Sequence, residues 1–436
     1  VVLDLLDPAA MRSLARGLRE RSAALRRIPV RRLLRGLAAV HREWARACSP
    51  LREEAVARLH ETTGYPASVL DRSLRLLFAR MDAAEMEGWL AAGGVLLPWL
   101  DERHAGQEGV PRVFGPALTA VISSGNIPGA AVPSVAQALL LKSPCLVKTS
   151  SSEPVLLPMY ARSIRERAPD LREALVVTGW EGGRADLEEA LLGEVDALIA
   201  YGGDAALRDL RSRLPLHARF LPYGHRISFS AVGREALSER RAAGTARKAA
   251  LDFCVFDQQG CLSPQAVYVE RGGGVGPEGF AALLAEALEE LAVELPRRKL
   301  DPSEAAAIHQ FRASAELSTL GGEEQRLWAS PEGTRWTVFI EEDPRLRPCI
   351  LNRTVVVLPV DRLEELPRWI EPQREALISV ALGVGTKRHA RIAGVLAAAG
   401  LTRITALGRA QEPETSLYHD GINAVAALAR FARVEG

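Results

Sequence analysis

The stretch ALTAVISSGNIPGAAVPSVAQALLLKSPCLVKTS, residues 117–150, holds one strand–helix–strand module. ALTAVISS is a short apolar run bounded by turn residues, and it reads as a strand. GNIPGAAVPS is a glycine- and proline-rich loop, VAQALLLK has helical spacing, and PCLVKTS is a second strand. A strand that returns through a helix to its neighbour runs parallel to it, with a right-handed crossover. The alternation continues downstream. SSEPVLLPMYARSIRERA reads as a helix, ALVVTGW as a strand, RADLEEALLG as a helix and VDALIAYGG as a strand. DAALRDLRSRL is helical again, and RFLPYGHRISFSAVG reads as a return to strand. The pattern predicts an α/β fold with a parallel, Rossmann-type sheet.

Upstream, residues 8–110 read as helical. PAAMRSLARGLRERSAALRRI and PVRRLLRGLAAVHREWARAC space leucines by three and four with arginines between. A basic amphipathic helix can lie on a membrane. Asp7, Glu20 and Glu43 interrupt the positive face here, which favours a solvated face on helices packed against their own domain. A second α/β block begins near residue 234. ALSERRAAGTARKAALDFCVF, GFAALLAEALEELAVEL, PSEAAAIHQFRASAELSTL and KRHARIAGVLAAAG read as helices. QAVYVE, TRWTVFIEE, RTVVVLPV, LISVALGVG and LTRITALG read as strands. The expected division is a helical region plus nucleotide-binding domain over 1–227, a catalytic domain over 228–410 and a C-terminal segment over 411–436.

The 436 residues carry a formal net charge of +1, so no global field draws nucleic acid or an acidic partner. No apolar run reaches the roughly twenty residues of a membrane span. The opening VVLDLLDPAAMRSL lacks a basic n-region followed by an apolar run, so no secretory signal is expected. The five cysteines are scattered, with no CxxC and no zinc spacing, which predicts reduced thiols, a cytoplasmic setting and no metal.

Chemistry-bearing residues fall on the turns. VTGWEGG and YGGDAAL follow strands and precede helices, where open α/β sheets bind ligands, which makes Gly179, Gly202 and Gly203 candidates for a phosphate contact. Neither is GxGxxG, and taken singly each also fits an ordinary turn. Asn126, just after a strand, has an amide that can donate to an oxyanion; the plain alternative is a turn asparagine. Lys148 ends a strand and can contact ribose or phosphate, or simply be solvated. Cys145 and Cys254 sit in apolar runs and read as buried thiols. Cys261, in FDQQGCLSPQ, has polar neighbours and reads as a presented thiol.

Taken jointly, SSGNIPG, LVKTSSSEP, AYGGD, PYGHRISFS, FDQQGCLSPQ and YHDGINAV resemble the aldehyde dehydrogenase superfamily in order and spacing. They are more closely similar to the LuxC-type acyl-CoA reductases known from bacterial luminescence, over about residues 112–430. The resemblance implies an aldehyde-dehydrogenase-like fold: a Rossmann-type cofactor domain, an α/β catalytic domain and a helical N-terminal region. It implies Cys261 as nucleophile, Asn126 as oxyanion donor, Lys148 at the cofactor ribose, and Gly202 and Gly203 at the pyrophosphate. The implied activity is reduction of a long-chain acyl-CoA or acyl-protein thioester to an aldehyde through an S-acyl cysteine. The superfamily's hydrolytic glutamate has no counterpart in LPYGHRIS, which favours exchange with a thiol over hydrolysis. Ser151 stands where many NAD-using members hold ribose with a glutamate, which favours NADPH, with NADH as the second candidate, although Glu153 is two residues on. His225 is a candidate proton donor, with a structural histidine as the plainer reading. A homo-oligomer is implied, using the C-terminal segment, and an acyl-transfer partner subunit stays open. The rival readings are a CoA-acylating dehydrogenase of short aldehydes and a catalytically silent nucleotide-binding subunit.

Overall fold

The structure, a computed structural model, describes residues 7–101, 111–318, 326–412, 418–433 and 435. The first six residues of the opening stretch, and parts of the C-terminal segment, lie outside these. The chain divides into two compact units, the first from 1–63, Leu70–His225 and 414–436, the second from Gly64–Val69 and 226–413.

The first unit opens with helices. They are α1 (Pro8–Arg27), α2 (Val30–Ala45), α3 (Pro50–Thr63), α4 (Ala67–Ala79, its first residues counted with the second unit), α5 (Ala83–Ala92) and α6 (Leu97–Leu100). Asp7 caps α1 by accepting the Ala10 N–H at 2.7 Å, and Pro8 occupies the first helical position, where no N–H is needed. The leucine spacing of α1 buries Met11, Ala15 and Leu18 in one core with Leu187, Leu191 and Leu198. Arg16 and Arg19 pair with Glu194 and Asp196 of the same unit. The basic helix therefore docks on its own unit. Among the described residues no helix is long and apolar enough to cross a membrane.

Next come β1 (Arg112–Phe114), β2 (Thr119–Ile122), α7 (Val132–Leu140), β3 (Cys145–Lys148), α8 (Leu156–Arg167), β4 (Leu175–Thr178), α9 (Ala185–Leu192), β5 (Ala197–Tyr201), α10 (Asp204–Arg213) and β6 (Arg219–Tyr223). β2 to β6 form a five-stranded parallel sheet in the order β4-β3-β2-β5-β6. The chain winds outward from β2 in one direction through β3 and β4, then returns to β5 on the other side. The carboxyl ends of β2 and β5 thus flank the topological switch point.

The second unit holds β7 (Ile227–Val232), α11 (Glu239–Cys254), β8 (Pro264–Glu270), α12 (Pro277–Glu294), α13 (Pro302–Ser318), β9 (Leu327–Ala329), β10 (Thr337–Ile340), β11 (Thr354–Val360), α14 (Leu366–Ile370), β12 (Leu377–Gly383), α15 (Thr386–Ala398) and β13 (Arg403–Ala406). The sheet order is β13-β12-β7-β8-β11-β10-β9, parallel except for β9 against β10. Side chains alternate across it as the pleat requires. Val267 and Val269 of β8 join the core under α11 and α12, while Ala266 and Tyr268 join the core beneath α15. After α16 (Ala424–Leu428), β14 (Arg430–Ala432) pairs antiparallel with β1 in the first unit.

One expectation is corrected. RFLPYGHRISFSAVG is two strands, β6 and β7, in separate sheets. Its continuous apolar texture hid the change of sheet, which falls on the polar link 224–226.

Candidate active site

In the first unit, the expected cofactor residues lie at a strand end and on loops along the carboxyl edge of the five-stranded sheet. The loop after β2 is tied at its root, where the Ser123 N–H donates to the Lys148 carbonyl at 3.0 Å. Ser124 Oγ donates to Asn126 Oδ1 at 2.8 Å, so the amide of this exposed residue is oriented with its NH2 end as donor. Gly125 is required by close approach. A Cβ there would stand 1.9 Å from Ser152 Oγ and 2.6 Å from Ser150 Oγ. The Asn126 loop and the serine loop after β3 are therefore packed against each other.

Lys148, at the end of β3, holds its ammonium 5.8 Å from the Trp180 ring centroid. Partial burial lowers its pKa from the ordinary value, and Glu188 pulls the other way. Ser151 is exposed. Glu153 is 3% exposed and turned inward, its Oε1 accepting the N–H groups of Val155 and Leu156 at 2.9 and 2.8 Å to cap α8. The rim is thus serine, and the neighbouring carboxylate is engaged by backbone. Gly179 is buried after β4, between Thr178 and Trp180. The Gly202 N–H donates to the Tyr223 carbonyl at 3.2 Å. Gly203 precedes α10 with open space around its Cα. Two buried polar atoms at this edge, Thr178 Oγ1 and Trp180 Nε1, have no protein partner. His419, from YHDGINAV, lies 4.2 Å from the Tyr223 ring, and Tyr223 is 4.8 Å from Tyr201, ring centre to ring centre. A cation, exposed backbone donors at a helix start and unfilled buried donors fit a nucleotide bearing phosphates.

In the second unit, Cys261 stands on the turn between α11 and β8 and is half-buried. Ser228 Oγ donates to its carbonyl at 2.7 Å. Ser263 closes the turn on itself, donating its N–H to the Gly260 carbonyl at 3.0 Å and accepting the Gly260 N–H on Oγ at 3.3 Å. Gln411 Nε2 donates to the same Oγ at 2.7 Å. Gln258 spans the base of the turn, with Nε2 donating to the carbonyls of Pro264 at 3.0 Å and Thr354 at 3.3 Å. The polar neighbours that suggested an exposed turn are mostly inside: Asp257 is 1% and Gln258 2% exposed. Asp257 Oδ1 accepts Arg353 Nε at 2.6 Å, and both side chains are buried. Burial pushes the Asp257 carboxyl up, while the Arg353 guanidinium and the Arg298 N–H hold it down. Of the other thiols, burial pushes Cys145 well up, Cys254 up to about 11, and Cys349 up to about 12. Cys48 is exposed in the link after α2.

The sequence matches the family described as acyl-CoA reductase (LuxC) over residues 25–433. The chain belongs to that family. Within the acyl-CoA reductase family it is 27% identical over 330 residues to the long-chain acyl-protein thioester reductase of Vibrio harveyi, covering 74% of this chain and 65% of that one. The protein of the same name from Aliivibrio fischeri is 26% identical over 315 residues, covering 72% and 62%. The chain thus spans a little under two thirds of the length of these relatives. Among solved structures, a putative aldehyde dehydrogenase PutA from Anabaena variabilis superposes with a TM-score of 0.70 at 17% identity, covering 98% of this chain and 93% of that one. An NAD-dependent benzaldehyde dehydrogenase from Corynebacterium glutamicum gives 0.69 at 14%, covering 98% and 91%. An indole-3-acetaldehyde dehydrogenase in complex with NAD+ gives 0.73 at 14%, covering 98% and 88%. The fold of this LuxC-family chain is therefore aldehyde-dehydrogenase-like.

Asn126, Lys148, Ser151, Gly179, Gly202 and Gly203 share one sheet edge, while Cys261 belongs to the other unit. His225 is exposed on the β6–β7 link. Sequence reading missed Trp180 beside Lys148, the inward turn of Glu153, and the brace of Ser228, Arg353 and Gln411 around Cys261. Only Glu153 left a trace, as an acid just ahead of an apolar helical run. Trp180 lies far along the chain from Lys148, and Ser228, Arg353 and Gln411 reach Cys261, Asp257 and Ser263 of the turn across 33, 96 and 148 residues, distances no local pattern spans.

Proposed function

We propose that this protein reduces an acyl thioester, long-chain and carried by coenzyme A or a protein, to the aldehyde. The observation that carries the reading is the Cys261 turn, on which a half-buried thiol sits with its carbonyl fixed by Ser228, while burial raises the pKa of three other thiols. Family membership and the names of the relatives support the same reaction class.

In this mechanism the Cys261 thiolate attacks the thioester carbonyl, forming a C–S bond. The negative charge that develops on oxygen is met by the Cys261 backbone N–H and the Asn126 amide. The oxyanion collapses, the C–S bond to the carrier breaks, and the carrier thiolate leaves and takes a proton. The hydride for the carbonyl carbon would come from reduced nicotinamide, the chemistry that group would supply when bound. The resulting thiohemiacetal loses Cys261 thiolate to give the aldehyde. Lys148, Gly179, Gly202 and Gly203 would hold the nucleotide. Ser151 is exposed and uncharged and Glu153 is turned inward, so neither presents a carboxylate to a 2′-phosphate, which favours NADPH.

Radiolabelled acyl-CoA without nicotinamide should leave label on Cys261 alone, labile to neutral hydroxylamine, and NADPH should discharge it as aldehyde faster than NADH does. Label on another cysteine, or retained in Cys261→Ala, overturns the nucleophile; equal discharge by the two cofactors overturns the NADPH preference.

A further inference from the structure

Eight described residues other than glycine have positive φ, and six of them form two triplets. Phe256, Asp257 and Gln258 lie at 58°, 51° and 65°; Leu351, Asn352 and Arg353 lie at 62°, 56° and 64°. Each triplet is one left-handed turn closed in the same way. The Gln259 N–H donates to the Phe256 carbonyl at 2.8 Å, and the Thr354 N–H to the Leu351 carbonyl at 3.0 Å. The first leads through Cys261 into β8 and the second directly into β11. These strands are adjacent and parallel, with Ala266 beside Val356. The two turns therefore lie side by side at the amino edge of one sheet.

Side chains with a Cβ avoid this conformation, and they persist in it only where their surroundings over-determine it. Here the surroundings are the other turn and the segment after α12 into α13, where the Arg298 N–H donates to Asp257 Oδ2 at 3.0 Å and Asn352 Nδ2 donates to Glu304 Oε1 at 3.3 Å. The Asn352 N–H donates to the Asp257 carbonyl at 3.0 Å, Arg353 Nε to Asp257 Oδ1 at 2.6 Å, and Gln259 Nε2 to Asn352 Oδ1 at 2.9 Å. A strand in this sheet does not need such an entry: β7 and β12 begin without a left-handed residue. Among the described residues of this sheet, positive φ outside glycine occurs only ahead of the strand preceded by Cys261 and ahead of the neighbour that braces it.

We propose that the Asp257–Arg353 ion pair and the Asn352 side chain lock the two left-handed turns together and so fix where the Cys261 sulfur stands for acyl transfer. They are positioning residues and do not touch the acyl group. The inference rests on Cys261 being the nucleophile. Attack on a thioester needs the sulfur aligned with a carbonyl and its oxyanion donors, and misplacement by about 1 Å can cost on the order of a hundredfold. Alkylation by iodoacetamide needs the same thiolate but no such alignment. A brace that positions will separate the two rates; a brace that only stabilises will not.

The test uses the full chain with Asp257→Asn, because Asn tolerates positive φ and keeps an acceptor while losing the charge. Single-turnover labelling of Cys261 by acyl-CoA should slow by about tenfold or more, with iodoacetamide alkylation of Cys261 within about threefold of wild type. Should the unpaired Arg353 prevent folding, Asn352→Gly suits its φ of 56° and removes only the bridging side chain. It should slow acylation several-fold in the same selective way. A folded variant that acylates at the wild-type rate overturns the proposal, as does one in which both rates fall together. Wild-type protein that never labels at Cys261 defeats the nucleophile reading itself, and this proposal with it.

Discussion

Asn126 shows what one residue owes to its neighbours. Its amide oxygen is occupied by Ser124, its loop packs on Ser150 and Ser152 through the missing side chain of Gly125, and its root is tied to Lys148. An oxyanion donor acts only if it is held in place before charge develops, and in the role proposed for Asn126 these contacts would supply that order. Asn126→Ala should lower the rate of Cys261 acylation by about a hundredfold to a thousandfold, with nucleotide binding little changed. Stopped-flow release of free coenzyme A measures it, and a loss under about threefold removes the role. Cys261 and Asn126 are candidates from the sequence because each sits in a short motif that resembles the superfamily's. What supports Cys261 could not be picked from it, since Asp257 and Arg353 lie 96 positions apart and neither looks unusual alone.

Elements were more legible than their ends. The leucine spacing of α2 marks a helix, and the structure buries Leu33, Leu37, Val40 and Trp44 along it as that spacing demands. The same face buries His41, which the pattern does not explain. Its Nδ1 lies 2.7 Å from the Met81 carbonyl, which can only accept, so Nδ1 carries the proton. Nε2 then accepts from the Tyr160 hydroxyl at 2.8 Å. Burial holds this imidazole down at about 4, against an ordinary 6.5. The folded state keeps His41 neutral while the unfolded chain protonates it, so its contribution is complete above pH 6.5 and is lost as pH falls toward 4. The interval corresponds to about 3 kcal/mol. The urea midpoint of wild type should fall across that window, and His41→Asn, which can still donate to Met81, should fall less steeply. Parallel pH profiles for the two proteins would refute the assignment. The left-handed turns were invisible for a related reason: only Asp257 and Asn352 among their six residues favour such a backbone, and tertiary bonds impose it on the rest.

At the scale of the whole molecule, alternating strands and helices identified the fold class, but not the point where one sheet ends and the next begins. β6 and β7 read as one strand because both are apolar, and three link residues carry the change of unit. That same stretch bears on the fate of the proposed acyl-enzyme. An S-acyl cysteine can be discharged by hydride, by a thiol or by water. Water is the weakest nucleophile of these and needs a general base, whose presence is typically worth a factor of about 100 to 10,000. From Arg219 to Val232 the chain has no Asp or Glu, so the position where the resemblance would seek that base offers no carboxylate. A thiolate needs no such help at neutral pH. Isolated acyl-enzyme should therefore return its label to added coenzyme A, and release aldehyde with NADPH, at least about 100 times faster than buffer alone frees the fatty acid. Rapid spontaneous hydrolysis, matching the rate of exchange with coenzyme A, would mean that another group activates water, and the protein would then be a thioesterase as much as a reductase.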